Sequence, residues 1–299
     1  MRRRSPVRNL LEYVIAVTAL ETLEWAPLGL ANRLAGGYAR LLDLAVPRLR
    51  RVAEKNLSFA MPEAGPQRRT ELIDGVFASI ARTLVAFAKF PRIHRDNVSR
   101  WIRVEGIEHY ERALERGRGV LIATAHLGNW ELSAFAHALM AKPMHVLVRP
   151  LDNPLLDALV ERRRALSGNT PVFKKDFARS ILKALAANEA VGIIIDQNAG
   201  LDSGVFVDFF GTPACAHSGF ARMAAHSGAA VIPGFAVWSA REGKYVLRFL
   251  APVEITGDAA CDTQRLQAVL EQAIRDYPDQ WLWIHRRWKT RPAGAAPLY

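Results

Sequence analysis

The sequence predicts an α/β fold in which a mostly parallel central sheet is flanked by helices. After Trp101, short apolar runs alternate with longer helical stretches, and this alternation is typical of α/β domains. The runs are almost continuously apolar, as expected of strands buried on both faces. With 299 residues, half of them hydrophobic, the chain is long enough to bury a large core.

Five runs are predicted strands: GVLIATA from Gly119, MHVLVR from Met144, VGIIID from Val191, AAVIPGFAVW from Ala229 and KYVLRFL from Lys244. Helical patterns such as NPLLDALVERRRAL and FARSILKALAAN separate several of them. The last two strands flank SAREGK and are predicted to form an antiparallel hairpin. Residues 41–92 are predicted to be helical, with a break at MPEAGP.

The first 36 residues are predicted to form a membrane-associated segment, with residues 37–299 as the main domain. Four arginines precede an apolar stretch, but charged residues leave uncharged runs of only eight residues, whereas a spanning helix wants roughly 20 mostly apolar residues. This pattern favours a helix lying in the membrane interface, with the arginines on the cytoplasmic side. A single span, a buried core helix and a cleaved signal peptide are the alternatives.

The charge balance restricts the class of partner. Forty Lys and Arg against 29 Asp and Glu give a net charge of +11, which favours nucleic acid, an anionic membrane or a phosphorylated substrate. Two cysteines in a chain of this size are consistent with a reducing compartment. No spacing typical of a zinc site occurs.

A histidine and a glutamate stand out in GRGVLIATAHLGNWEL. His126 follows a predicted strand at its carboxyl end, where ligands collect in α/β folds, and Glu131 begins the next helix. A turn between them lets the carboxylate hydrogen-bond one ring nitrogen and leaves the other as a base. A structural histidine beside a solvated glutamate is the alternative interpretation.

The motif HLGNWE resembles the His-x-x-x-x-Glu signature of the lysophospholipid acyltransferase superfamily. VRPLDNPLLDALVERRRALSG, IIDQNAG, VFVDFFGTPA and YPDQWLWIHRRWKTRP together resemble the late (lauroyl or myristoyl) acyltransferases of lipid A biosynthesis, over essentially the whole chain. The resemblance implies a glycerol-3-phosphate acyltransferase-like fold and an enzyme of lipopolysaccharide biosynthesis at the cytoplasmic face of the inner membrane. It also implies transfer from acyl carrier protein, or else coenzyme A, to a hydroxyl of a lipid A precursor.

The resemblance assigns the catalytic roles. It implies that His126 is the general base, that Glu131 orients it, and that Arg164 and Asp196 hold functional positions. Backbone N–H groups of the 127–129 turn, the Asn129 amide and Arg164 are candidate donors to the oxyanion. The alternative interpretation of Arg164 is a solvated surface charge, and that of Asp196 is a residue that caps a loop.

Further candidates are predicted to contact substrate. Arg149 ends a predicted strand at the same edge and is suited to a phosphate, and Gln197 follows Asp196. Near the C-terminus, Arg286 and Arg287 would meet an anionic interface. In VDFFGTPA, Phe209 and Phe210 would line an acyl tunnel. Core packing explains the phenylalanines equally well, and a solvated tail is the alternative for the arginines.

Other functions are weaker interpretations. A nucleic-acid-binding module would not explain the His126–Glu131 turn, and we expect no nucleic-acid partner. No Gly-x-Ser-x-Gly elbow supports a hydrolase, the His–Glu spacing is not that of a zinc site, and no cofactor is expected. Within the superfamily, a lysophospholipid or another glycolipid remains the alternative acceptor.

Overall fold

The computed structural model describes residues 5–173 and 177–299. Arg2, Arg3 and Arg4 of the predicted N-terminal segment lie outside the described residues. Four helices come first and are followed by two single 3-10 turns at Phe90–Arg92 and Val98–Arg100. The helices are α1 (Pro6–Trp25), α2 (Leu28–Ala45), α3 (Arg48–Ala60) and α4 (Pro66–Ala88).

Strands and helices then alternate, as the sequence predicts. The strands are β1 (Ile102–Glu105), β2 (Val120–Thr124), β3 (His145–Val148), β4 (Thr170–Phe173), β5 (Ala190–Ile194), β6 (Gly204–Phe209), β7 (Thr212–His217), β8 (Ala230–Ser239) and β9 (Lys244–Phe249). The helices are α5 (Ile107–Glu115), α6 (Trp130–Met140), α7 (Pro154–Ala165), α8 (Phe177–Ala186), α9 (Gly219–Ser227) and α10 (Ala259–Asp276).

Seven of these strands form the central sheet, in the order β1-β9-β8-β2-β5-β3-β4. Strands β8, β2, β5, β3 and β4 are mutually parallel, while β9 is antiparallel to β8 and parallel to β1. The predicted α/β fold with a mostly parallel sheet is therefore confirmed, and so is the hairpin around SAREGK. Strands β1, β4, β6 and β7 were not predicted, because short strands at a sheet edge or in a separate hairpin lack a long apolar run.

The register of the sheet brings two distant residues together. Strands β2 and β5 are adjacent and parallel, and Thr124 pairs with Ile194, 70 positions further along the chain. Continuing that register by two residues places His126 beside Asp196. Both therefore lie at the carboxyl edge of the sheet, where α/β folds bind ligands.

The two N-terminal helices pack on the rest of the protein. Leu20 and Leu23 of α1 and Ala31 and Ala35 of α2 are buried in the same hydrophobic core as residues of α4 and the sheet. The boundary predicted after residue 36 falls inside α2. Within the described residues, no helix combines the length and the apolar character needed to cross a bilayer.

One face of α1 is apolar and exposed. Val7, Leu10, Leu11 and Val14 are 50% to 76% exposed, and their spacing of three and four residues places them along one side of the helix. We call these four residues the apolar α1 face. Asn153, at the start of α7, joins α7 to α1 because its amide donates to the carbonyl of Asn9 at 3.0 Å and to Glu12.

Candidate active site

The His126 side chain is held by an aspartate from the adjacent strand. Its Nδ1 lies 2.9 Å from Oδ1 of Asp196, and its backbone N–H donates to Oδ2 at 2.9 Å. Asp196 is fully buried, whereas 15% of the His126 side chain is exposed. An ionised carboxylate can only accept, so Nδ1 carries the proton and Nε2 is left as the basic nitrogen.

Burial and the neighbouring charges act in opposite directions on the ionisation of this pair. Burial, the largest effect, lowers the pKa of His126, but the charge of Asp196, its hydrogen bond and the charge of Glu131 together raise the pKa above its usual value. Burial also favours the neutral form of Asp196 and so raises its pKa. His126, His285 and the Trp281 N–H outweigh burial and hold this pKa well below its usual range. Asp196 is therefore ionised throughout the physiological range.

The Glu131 carboxylate makes its short contacts with Arg164. Oε1 of Glu131 accepts from Nη2 at 2.6 Å, and Oε2 accepts from Nε at 3.0 Å. Nη1 of Arg164 also donates to Glu161 at 2.8 Å. The hydrogen bond expected between Glu131 and the His126 ring is thus made by Asp196, because the strand register places that carboxylate nearer. Glu131 acts on the imidazole through its charge.

The turn after His126 is locked by backbone hydrogen bonds. The Gly128 N–H donates to the carbonyl of Gln280 at 3.0 Å, and the Asn129 N–H donates to the carbonyl of Ala236 at 2.8 Å. The φ of Gly128 is +64°, and a Cβ there would overlap the Ala236 oxygen, so only glycine fits. Two of the backbone N–H groups considered as oxyanion donors are therefore already used.

Asn129 has a structural task in the same turn. Its Oδ1 accepts from the Leu132 N–H at 2.9 Å and caps the N-terminus of α6, as an N-cap asparagine commonly does. The side chain is fully buried. Its amide therefore does not reach an exposed substrate position in this conformation.

The C-terminal segment forms one wall of the site. Leu127 and Trp281 form an antiparallel bridge, and the Leu282 N–H donates to the carbonyl of His126 at 3.0 Å. The indole N–H of Trp281 donates to Oδ2 of Asp196 at 2.8 Å. Trp281 was not among the predicted site residues, and the only sequence signal for it was the density of aromatics in WLWIHRRWK.

Arg287 is buried within the protein. It has no exposed surface, and its guanidinium donates to the Cys215 carbonyl at 2.6 Å and to Gln267 at 2.9 Å. Burial lowers its pKa to about 10. We therefore interpret Arg287 as a cation that ties the C-terminal segment to β7 and α10, and not as a substrate contact. Arg286 lies over the Tyr299 ring, 5.5 Å from its centroid.

Phe209 and Phe210 belong to an aromatic cluster. Both are buried, with ring centroids 5.9 Å from Trp281 for Phe209 and 5.5 Å from Trp283 for Phe210. These contacts favour the core-packing alternative over an acyl tunnel. The cluster packs against the C-terminal segment.

Arg149 and Gln197 lie where the sequence places them. Arg149 follows β3 and Gln197 follows β5, both at the carboxyl edge, and both side chains are exposed. No ion pair of Arg149 is found among residues 5–173 and 177–299. Across the same ranges, no three His, Cys, Asp or Glu side chains are grouped as ligands of a metal ion.

Comparison with known proteins identifies the family. Residues 1–290 match the family described as bacterial lipid A biosynthesis acyltransferase. The chain belongs to this family. Two relatives from Escherichia coli (strain K12) are a lipid A biosynthesis lauroyltransferase, 30% identical with 91% of this chain and 90% of the relative aligned, and a palmitoleoyltransferase, 32% identical over 87% and 86%. A lipid A biosynthesis acyltransferase from Haemophilus influenzae is 26% identical, over 94% and 88%.

The protein is therefore an acyltransferase, and the resemblance identified from the motifs is confirmed. Of the predicted site residues, the structure brings His126, Glu131, Arg164 and Asp196 together at one edge of the acyltransferase's sheet. Arg149 and Gln197 lie at the same edge. The structure places four other predicted site residues in the interior: Asn129, Phe209, Phe210 and Arg287.

Proposed function

We propose that this acyltransferase moves a fatty acyl group from an acyl thioester to a hydroxyl of a lipid A precursor, with His126 as general base. Nε2 takes the hydroxyl proton as the oxygen attacks the thioester carbonyl. The new C–O bond forms, the C–S bond breaks, and the thiolate leaves with the proton held on the imidazole. A positioned base of this kind contributes about 10²–10⁴-fold to the rate.

The observation that carries the proposal is the contact between His126 and Asp196. A buried carboxylate on Nδ1 fixes the tautomer and the ring orientation, which directs Nε2 to the exposed side. The attractive charge also stabilises the imidazolium that forms during transfer. In this scheme Asp196 has the orienting role that the sequence analysis gave to Glu131.

Glu131 and Arg164 form the second half of the proposed site. Arg164 is 31% exposed at its side chain, and three of its N–H groups are held by carboxylates. Two N–H bonds of its guanidinium remain for a substrate oxygen. We propose that Arg164 stabilises the oxyanion of the tetrahedral intermediate and that Glu131 aims it.

Family membership and charge support the proposed acceptor and donor. The relatives are named as enzymes of lipid A biosynthesis, and a net charge of +11 suits a phosphorylated, sugar-based acceptor. We propose acyl carrier protein as the donor, since such an acidic carrier would be attracted to the same charge. Coenzyme A thioesters are the competing donors.

We also propose that the protein works at the cytoplasmic face of the inner membrane. The apolar α1 face would lie in the interface, because exposed apolar side chains along one side of a helix lose contact with water there. Leu28 and Leu30 of α2 are also exposed apolar side chains. Arg8, next to the apolar α1 face, pairs with Glu12 at 2.9 Å and would also meet anionic lipid headgroups.

One experiment tests the acceptor directly. Membranes containing the wild-type protein or His126→Ala would receive acyl carrier protein that bears a radiolabelled acyl group, together with a Kdo-bearing lipid A precursor or lysophosphatidic acid. We expect label on the lipid A precursor with the wild-type protein and none above background with His126→Ala. His126-dependent labelling of the lysophospholipid alone would reject the acceptor and leave the acyl-transfer chemistry standing.

A further inference from the structure

We propose that Trp281 is a positioning residue for acyl transfer, whose indole N–H fixes the Asp196 carboxylate so that it in turn fixes the His126 imidazole. The inference rests on the proposed function, because it assigns a role to a residue that touches only the orienting aspartate. It adds a third member, from the C-terminal segment, to the histidine and aspartate supplied by two adjacent strands.

The two carboxylate oxygens of Asp196 have different partners. Oδ2 accepts the Trp281 indole N–H at 2.8 Å and the His126 backbone N–H at 2.9 Å. Oδ1 faces Nδ1 of the imidazole at 2.9 Å. Two donors on Oδ2 prevent the carboxylate from rotating about its Cβ–Cγ bond, which keeps Oδ1 aimed at the ring. Without the indole donor, only the backbone N–H would oppose that rotation.

Trp281 is itself held in place relative to the catalytic turn. Its neighbours on both sides pair with that turn, since the Gly128 N–H donates to the Gln280 carbonyl and the Leu282 N–H donates to the His126 carbonyl, both at 3.0 Å. The indole is fully buried. Because the Trp281 indole is fixed relative to the turn after His126, its N–H holds the Asp196 carboxylate in a constant position.

A second support comes from the first third of the chain. The Asn56 side chain, fully buried on α3, donates to the carbonyls of Trp283 at 2.7 Å and His285 at 2.8 Å. The Tyr299 hydroxyl donates to Oδ1 of Asn56. The segment that carries Trp281 is therefore fixed from both α3 and the C-terminus.

Three buried tryptophans lie in this segment and allow a matched comparison. The indole N–H of Trp283 donates to the Pro278 carbonyl at 2.7 Å, and that of Trp288 donates to the Thr212 carbonyl at 3.3 Å. All three indoles have no exposed surface, and Trp281 packs against both of the others. Only the Trp281 N–H reaches a charged side chain, so the chemical difference between them is the acceptor.

Other charged and titratable groups also act on the His126–Asp196 pair. They are Glu131 from α6, and His285 and Arg287 from the C-terminal segment. None of them is changed when the Trp281 N–H alone is removed. A change in the pH profile of such a variant therefore reports on the indole hydrogen bond.

The test removes the Trp281 N–H in two replacements, one of which keeps the fused ring. In the full-length protein, Trp281 is replaced by 3-benzothienylalanine, in which sulfur takes the place of the indole N–H, and by phenylalanine. We expect kcat to fall about 10-fold or more, the usual worth of a hydrogen bond to a charged group, with KM unchanged within about twofold because no substrate contact is lost.

The pH profile supplies a readout that packing alone would not move. Loss of the donor leaves more negative charge on the carboxylate oxygens, which raises the pKa of His126 further. The base must be neutral to accept a proton, so the acidic limb of the profile for kcat/KM should move to higher pH. The same replacements at Trp283 and Trp288 should leave this limb in place.

The outcomes separate the inference from the proposed function. A Trp281 variant with wild-type kcat and an unmoved acidic limb would overturn the positioning role, and so would equal changes at all three tryptophans. The benzothienyl variant answers the question if Trp281→Phe fails to fold, because it preserves the shape of the side chain. Undiminished turnover by His126→Ala would instead reject the proposed chemistry, whatever the tryptophan variants do.

Discussion

Nδ1 of His126 lies 2.9 Å from Oδ1 of Asp196, although the two residues are 70 positions apart in the chain. They meet because β2 and β5 are adjacent parallel strands in register, so the residue two positions beyond each strand end reaches the same point. The catalytic properties proposed for the histidine depend on this pairing, and the first two predictions test it.

Replacing His126 with alanine should lower acyl transfer about 10²–10⁴-fold, the usual worth of a positioned general base. The wild-type rate should also fall with acidity. Because the pKa of His126 is raised, the neutral base is present at high pH and is lost as the pH falls through a value above its usual one of about 6.5. Turnover by the purified wild-type protein and His126→Ala, measured against pH, checks both points. Near-normal turnover by His126→Ala would contradict the first, and a wild-type acidic limb centred well below the usual value of about 6.5 would contradict the second.

Asp196→Asn should lower kcat about 10²–10⁴-fold, since an amide no longer enforces the tautomer with Nε2 free. It should also move the acidic limb to lower pH, because the charge that raises the pKa of His126 is gone. Glu131→Gln should impair turnover severely too, but with a smaller pH shift, because Glu131 acts on the imidazole only through its charge. A larger pH shift in Glu131→Gln than in Asp196→Asn would reverse the roles assigned to the two carboxylates.

Arg164→Ala should mainly lower kcat if the guanidinium stabilises the oxyanion, and mainly raise KM if it holds a phosphate of either substrate. We expect the first result, with a loss of about 10²-fold or more. Glu161→Gln is the matched control, since Glu161 contacts the same guanidinium through Nη1 while Glu131 continues to hold it. Steady-state kinetics of both variants decide the matter, and unchanged kcat and KM in Arg164→Ala would return this residue to a solvated surface role.

The neighbouring arginine should act on stability. Arg163 is 6% exposed and donates to the Ala88 carbonyl at 2.7 Å and to Glu24 at 2.9 Å, so Arg163→Ala leaves a carboxylate and a carbonyl without a partner. We expect a loss of about 3 kcal/mol in the free energy of unfolding, near the lower end of the cost of breaking a buried ion pair. Arg162 is exposed, and Arg162→Ala should change stability by less than about 0.5 kcal/mol. Denaturant midpoints of the two variants that coincide would contradict this assignment.

The apolar α1 face should govern association with membranes. Leu10→Glu and Leu11→Glu place charges on side chains that are 55% and 60% exposed, so the melting temperature should change little while the fraction bound to anionic vesicles falls. Leu166, which is 52% exposed just beyond α7, provides the control Leu166→Glu. Co-sedimentation with vesicles is the measurement. Equal binding by all three variants and the wild-type protein would remove α1 from the membrane contact.

These single substitutions are a sharper test than deleting residues 1–36. Leu23, Ala31 and Ala35 have no exposed surface, and Lys89 donates to the carbonyls of Glu24 and Ala26 at 2.6 Å. Removing the segment would therefore open the core as well as change the surface. A loss of membrane binding in the deletion would not separate those two effects.

The sequence alone determined the features that depend on local pattern. Continuous apolar runs marked β2, β3, β5, β8 and β9, because a strand covered on both faces has no polar side. The strand, turn and helix around HLGNWE placed His126 at the carboxyl edge. The same motif, with the C-terminal block, was specific enough to indicate the family.

Only the tertiary structure decided which side chains meet. Three consecutive arginines on α7 lie in solvent, in the core and at the site, respectively, because one helical residue advances the direction of the side chain by about 100°. The partner of His126 proved to be Asp196 and not Glu131, which is nearer in the sequence. The donor to Asp196 comes from Trp281, 85 positions away from it. Such contacts depend on strand order and register, which are set by packing across the whole sheet, and no local pattern encodes them.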